Sequence, residues 1–338
     1  MKIAIIKQGA LGDLIALSTF LIPIKKKYPQ AEITILASNY FLKVYPEKLL
    51  YTHFHYFDKH TFKWYDYLKS ILFLRTQKYD YIFQLRYGSE IDDFIAVCSG
   101  AKNTVGFRKS FFSFFLSKKI KMGTTTKHEY LRMLDALKII NIDIEKPKTD
   151  IYSSESDKIY IQNFLEKNNL KNKQFILIAP KASAESKEWL PEQFVELGKL
   201  ISQNLNIKIV IDNGLGKDDF GKNMTLAIGE NAILSPPTTI HQFGELIRQS
   251  GICVCNNSAA MNMAYATNTI AIVISSLPPS YWGALGENDT TLYPFESNKT
   301  NDLYAISAND IQRREILNKI KPTDVFEEIK LKSYHIIN

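Results

Sequence analysis

One pattern, present twice, constrains this chain more than any other feature: a short apolar run, a turn, then a stretch with apolar residues at helical spacing. Lys2 to Lys7 is the first run. It leads into a helix expected over Leu14 to Tyr28, with Lys25, Lys26 and Lys27 on the polar face and Pro29 as its stop. Glu32 to Ser38 and Tyr79 to Leu85 read as further strands, the second ahead of a helix over Asp92 to Ser99. The pattern starts afresh at Phe175 to Ala179, followed by a helix over Leu190 to Asn204 with Pro191 in its first turn. Ile207 to Asp212, Gly251 to Cys255 and Thr269 to Ser275 read as strands, with helices over His241 to Ser250 and Ser258 to Ala266. Strand–helix–strand repetition gives parallel sheets with right-handed crossovers. The predicted fold class is therefore α/β, with two doubly wound halves. The polar stretch from Lys146 to Asp157 marks the boundary. It gives domains over 1–155 and 156–321, and a closing helix from about Pro322 to Lys332 within 322–338.

Composition excludes several classes. Three cysteines, Cys98, Cys253 and Cys255, are too few and too odd in number for a disulfide framework. No apolar run is long enough to cross a bilayer. The opening segment is interrupted too soon by Lys7 to serve as a signal peptide, so a cytoplasmic location is expected. The formal net charge of +7 fits an acidic substrate or an anionic membrane. No zinc-finger spacing, RNA-binding aromatic signature or arginine-rich tail accompanies it, so nucleic acid is not an expected partner.

Three segments stand where ligands meet open α/β sheets, at strand-to-helix turns. The first is Gly9-Ala10-Leu11-Gly12-Asp13-Leu14. Its glycines let backbone approach a ligand, and Asp13 is placed either to cap the helix or to take a proton from a hydroxyl. The second runs from Pro180 to Pro191. There Ser183 and Lys187 have the chemistry to hold a diphosphate, although a solvated charged loop fits the same residues. Trp189 reads as the anchor of that loop in the core. The third is Asn256-Asn257-Ser258-Ala259-Ala260-Met261-Asn262, where Asn257 or Ser258 is a good N-cap and the free N–H groups behind it favour an anion. No metal site is expected: His53, His55 and His60 lack partners, and no Asp-x-Asp occurs. The stretch from Phe107 to Lys119 mixes aromatics with cations. It suits an anionic membrane surface or a phosphorylated lipid, and equally a helix packed into the core.

Taken in order, Ile5-Ile6-Lys7-Gln8-Gly9-Ala10-Leu11-Gly12-Asp13, Tyr79 to Arg86, His128-Glu129-Tyr130-Leu131, Lys187-Glu188-Trp189 and Asp212 to Asp219 resemble the ADP-heptose:lipopolysaccharide heptosyltransferases of glycosyltransferase family 9. The likeness spans nearly the whole chain. It implies two Rossmann-like domains of the GT-B type facing each other across a cleft. It also implies inverting transfer of a heptose or related sugar from a nucleotide-sugar donor, ADP-linked, onto a lipopolysaccharide core or similar glycan, with no metal and no separate cofactor. Asp13 falls on the family's catalytic base. The family's donor-phosphate contacts fall on Ser183 and Lys187 and its acidic nucleoside contact on Asp218 or Asp219. Gly12, Asn257, Ser258, Ala259 and Asn262 are further expected donor contacts, Lys181, where the family usually has glycine, adds positive charge there, and Arg86, Arg108 and Lys109 are the expected acceptor cations. The acceptor is expected to be a glycolipid or oligosaccharide, met at the inner face of the inner membrane. This chain departs from the family at Asn257, Ala259 and Asn262, where aspartate, glycine and histidine are usual. That departure leaves room for an altered donor or a non-catalytic nucleotide-sugar-binding relative. A nucleotide-sugar epimerase fits the fold but not the ordered motifs.

Overall fold

In the first unit, Met1–Asp150, the apolar runs form β1 (Lys2–Ile6), β2 (Glu32–Ala37), β3 (His53–Tyr56), β4 (Tyr81–Gln84), β5 (Asn103–Phe107) and β6 (Lys118–Ile120). They pair in parallel in the order β3-β2-β1-β4-β5-β6. The connecting helices are α1 (Leu11–Ala16), α2 (Ser18–Lys27), α3 (Tyr40–Val44), α4 (Trp64–Gln77), α5 (Glu90–Cys98) and α6 (Glu129–Lys138). Ile71 and Leu74 of α4 and Ile95 and Ala96 of α5 share one core with Ala4, Ile6 and Ile82 of the sheet. This is a computed structural model, and it describes residues 1–58, 60–120, 127–214, 219–296 and 298–337.

The helix expected over Leu14 to Tyr28 begins earlier and comes in two pieces. The Tyr45 hydroxyl donates to the carbonyls of Leu14 and Ile15, and the Ser18 hydroxyl donates to Ile15 as well. These side chains occupy carbonyls that the helical ladder would otherwise use, which explains the break at Leu17.

The second unit, Ile151–Asn338, opens with α7 (Glu155–Lys167) and repeats the plan. Its strands are β7 (Phe175–Ala179), β8 (Lys208–Ile211), β9 (Ala232–Leu234), β10 (Ile252–Asn256), β11 (Ile270–Ile274) and β12 (Thr290–Leu292), in the order β12-β11-β10-β7-β8-β9. Numbered from β7, this is the order of the first sheet. Its later helices are α8 (Pro191–Asn204), α9 (Phe220–Ile228), α10 (Ile240–Gln249), α11 (Ala259–Thr267), α12 (Lys299–Ser307), α13 (Asp310–Leu317) and α14 (Pro322–Ile337). The closing helix α14 buries Val325, Phe326 and Ile329 in the core of the second unit, beside Phe194 and Leu197 of α8. Among the described residues no helix is long and apolar enough to cross a membrane.

A buried polar knot fixes the loop after β5. Asp93 Oδ1 and Gln84 Oε1 are both buried without a hydrogen-bond partner. A methyl group at Gly106 would lie 3.2 Å from each of them and 2.8 Å from Leu116 Cδ1. Gln84 Nε2 donates to the Arg86 carbonyl. Burial pushes the Asp93 carboxyl up to about 7, against the lowering effect of the Ser110 hydroxyl. The folded state thus binds the Asp93 proton more tightly than the unfolded chain does. The stabilisation is full below the ordinary carboxylate range and is lost as pH rises through about 7. Asp93→Asn supplies an amide where the proton sits. It is expected to remove the decline in thermal stability across that window and to melt above the native protein at about pH 8. A variant that melts lower there would show that Asp93 is ionised in the fold.

Candidate active site

Ligands in doubly wound sheets bind beyond the carboxyl ends of the strands, where the strand order reverses. In the first unit that point lies between β1 and β4. The segment Lys7–Asp13 leaves β1 there, and Arg86 and Tyr87 leave β4. Asp13 sits in the first turn of α1. Its Oδ2 accepts the Ala10 N–H at 3.0 Å, while about a third of its side chain, 31%, stays open to solvent. Capping and reactivity are therefore compatible roles for this carboxylate. Gly12 is buried beside it in the same turn.

Behind Asp13 lies an ion-pair network that the sequence pattern did not disclose. The Lys7 ammonium is 1% exposed and lies 3.4 Å from Asp13 Oδ1 and 2.7 Å from Glu129 Oε1. Glu129, at the start of α6, also takes Arg132 Nη1 at 2.9 Å. Burial acts against the Lys7 charge, but the Glu129 and Asp13 carboxylates outweigh it and hold the ammonium above its ordinary pKa. Burial likewise acts against Glu129, and Lys7 and Arg132 outweigh it and hold that carboxyl below its ordinary value. The Arg132 guanidinium covers one side of the contact with the Tyr87 ring at 5.0 Å, and the Lys109 ammonium lies 4.4 Å from the same ring. Of the three expected acceptor cations, Lys109 therefore joins this network. Arg86 is half-buried directly after β4. Arg108 turns to the Phe114 ring, 5.2 Å away.

Gly9 makes the placement of Asp13 possible. A Cβ there would lie 2.5 Å from the Asp13 side chain, closer than any real contact. Gly9→Ala is therefore expected to push the carboxylate aside, with turnover reduced on the order of 10- to 100-fold and little change in melting temperature. Steady-state rates beside a thermal melt check this, and an unchanged rate would mean the Asp13 side chain has room to move.

In the second unit the equivalent reversal lies between β7 and β10. The loop after β7 carries Lys181, Ser183 and Lys187. Ser183 is exposed, and the Lys187 ammonium lies 3.4 Å from its hydroxyl. Among the described residues Lys187 has no carboxylate partner. Lys181 is differently placed. It pairs with Glu188 at 3.1 Å and lies 4.5 Å from the Phe220 ring, so Glu188 offsets part of its charge locally. Trp189 anchors the loop: it is buried, with its indole N–H on the Ile320 carbonyl at 3.1 Å and its backbone N–H on Asn256 Oδ1 at 2.9 Å.

After β10, Ser258 caps α11 by accepting the Ala260 N–H at 3.3 Å. Ala259 opens the helix beside it. The Asn257 amide donates to Ser275 Oγ at 2.9 Å and to the Trp282 carbonyl at 2.7 Å. A carbonyl only accepts, so a carboxylate at 257 would face it without a proton to give. Asn262 is buried, and its amide donates to the Ser258 carbonyl at 3.0 Å. The asparagines are thus built into the frame of the loop. Asp212, at the end of β8, was not singled out from sequence as a site residue. Burial pushes its carboxyl up to about 6, against the Gly214 N–H. Asp218 lies outside the described residues.

Two parallel doubly wound sheets of matching order define an α/β protein of the GT-B type. Comparison with known proteins takes the assignment further. The chain belongs to glycosyltransferase family 9 (heptosyltransferase), whose family model matches residues 69–309. It is 25% identical over 342 residues to lipopolysaccharide heptosyltransferase 1 of Campylobacter coli, covering 95% of this chain and 98% of that protein. Among solved structures, it resembles a family 9 glycosyl transferase from Veillonella parvula with a TM-score of 0.79 and 16% identity, over 99% of this chain and 97% of the other. It also resembles the E. coli ADP-heptose lipopolysaccharide heptosyltransferase II with a TM-score of 0.73 and 17% identity, over the whole of both chains. The E. coli heptosyltransferase WaaC, solved with ADP, gives a TM-score of 0.68 at 12% identity, again over both whole chains.

Proposed function

We propose that this glycosyltransferase moves a heptose or a related sugar from an ADP-linked donor onto a lipopolysaccharide core or similar glycan, with inversion and without a metal. The observation that carries the reading is the partly open Asp13 carboxylate at the switch point of the first sheet, held by the Ala10 N–H and the Lys7 ammonium. In this scheme Asp13 takes the proton of the acceptor hydroxyl as its oxygen bonds to the anomeric carbon. The bond from that carbon to the diphosphate breaks with its electron pair, and the leaving diphosphate carries the charge away. Ser183, Lys187 and the N–H groups of the first turn of α11 are the donors assigned to that charge. Gly12, in the first turn of α1, and Lys181, in the loop after β7, support the donor. Arg86 and Lys109 serve an anionic acceptor, and the reaction belongs to the cytoplasmic side, where nucleotide sugars are made.

Asn257 and Asn262 favour a second reading, a nucleotide-sugar-binding relative with another donor or no turnover, because both amides are engaged by the protein itself, Asn257 on Ser275 and Trp282 and Asn262 on Ser258. Incubating the protein with ADP-heptose and with GDP- and UDP-sugars, beside a heptose-deficient lipopolysaccharide, separates the two. Mass spectrometry of the acceptor is expected to show one added heptose from the ADP-linked donor, at a rate indifferent to chelator. Binding of ADP without transfer of any sugar would favour the second reading.

A further inference from the structure

The geometry points to the 3₁₀ turn Phe112–Phe115, flanked by Arg108, Lys109, Lys118 and Lys119, as a docking surface for an anionic phospholipid bilayer. Phe111, Phe114 and Phe115 are 65%, 56% and 62% exposed. Their exposure is built in. The N–H groups of Phe111 and Phe112 donate to the Glu90 carboxylate at 2.8 and 3.2 Å, and Ser110 donates to the buried Asp93. Ser113 is buried, its N–H on Ser110 Oγ at 3.0 Å, and Phe112 packs on Phe94 at 5.0 Å. A turn fastened this firmly at its base holds its rings out in water, where large apolar groups on rigid supports mark an interaction surface.

The charge around it selects the occupant. From Phe107 to Ile120 the sequence has four cations and no carboxylate, and the nearby Glu90 is engaged by the turn's own N–H groups. Aromatic rings rimmed by lysine and arginine match the headgroup boundary of an anionic leaflet, where rings enter the apolar edge and cations meet phosphate. Lys109 is also assigned to the acceptor, whereas Phe111, Phe114, Phe115, Lys118 and Lys119 are not, so these residues are expected to bind the bilayer whether or not transfer occurs.

Sedimentation of the full chain with vesicles tests it, using phosphatidylethanolamine with and without phosphatidylglycerol. The native protein is expected to pellet with the phosphatidylglycerol vesicles and to be released by salt. Phe111→Ser/Phe114→Ser/Phe115→Ser is expected to lower that binding by at least about tenfold at an unchanged melting temperature. Lys118→Glu/Lys119→Glu is expected to lower it by a similar factor and to remove the preference for phosphatidylglycerol, which keeps the test informative if the triple variant does not fold. Failure of the native protein to pellet with either vesicle would overturn the proposal. So would a folded triple variant that still binds, or a patch that instead holds two copies of the chain together in light scattering.

Discussion

Asp13→Asn is expected to lower the transfer rate about 100-fold or more, the loss that follows when a general base is removed, while ADP binding stays within about twofold. The size and shape of the side chain are kept, and its remaining oxygen still has the Ala10 N–H to accept. What goes is the capacity to take a proton. Lys7 loses one of two counter-charges but retains Glu129 at 2.7 Å, so the fold around β1 is expected to hold. The contrast is Lys187→Ala, which leaves the base in place and removes a cation assigned to the diphosphate. There the expected loss appears in ADP binding as well as in rate. Single-turnover rates together with a thermal shift by ADP read both arms. An Asp13→Asn protein that turns over within about tenfold of the native rate would remove the base from this carboxylate.

The regular part of the fold was legible because the interior strands are apolar throughout. The run read as Lys2 to Lys7 is β1 over Lys2–Ile6, and Phe175 to Ala179 is β7 residue for residue. Strands further out were harder to read. His53-Phe54-His55-Tyr56 forms β3 at the edge of its sheet, half in solvent, so its residues carry no apolar signature. The helix α4 hides for the opposite reason, since its outward stripe is as apolar as its inward one. The candidate site was legible as loops rather than as a network. Gly9 to Asp13 and Ser183 to Lys187 announce themselves by their place after a strand. Lys7 does not, because a lysine at a strand end looks like a solvated stop, and its partner Glu129 is 122 residues away. A buried position for a lysine demands a carboxylate, yet burial is a tertiary fact. The same limit hid the work of Asn257, whose acceptors lie on Ser275 and Trp282.

Glu129→Leu is expected to cost about 3–5 kcal/mol of stability, the scale seen when one partner of a buried ion pair is removed. The reason lies in what is left behind. Lys7 is 1% exposed and Arg132 is 2% exposed, and both lose their closest carboxylate at once. Asp13 remains at 3.4 Å, partly solvated, and is a weaker counter-charge. The pH dependence has a definite sign at each end. Glu129 is held below its ordinary pKa, so its contribution is full above the usual carboxylate range and is lost as pH falls through the lowered value. Lys7 is held above its ordinary pKa, so its contribution is full below the usual lysine value and is lost as pH rises through the raised one. The gap between native and variant is therefore flat across neutral pH and narrows at both extremes. Denaturant melts at several pH values measure it. Lys7→Met/Glu129→Leu also removes the stranded Lys7 charge and is expected to recover part of the loss, the remainder staying with Arg132, which is still buried without its carboxylate. A single variant as stable as the native protein would show that water, and not Glu129, carries the Lys7 charge.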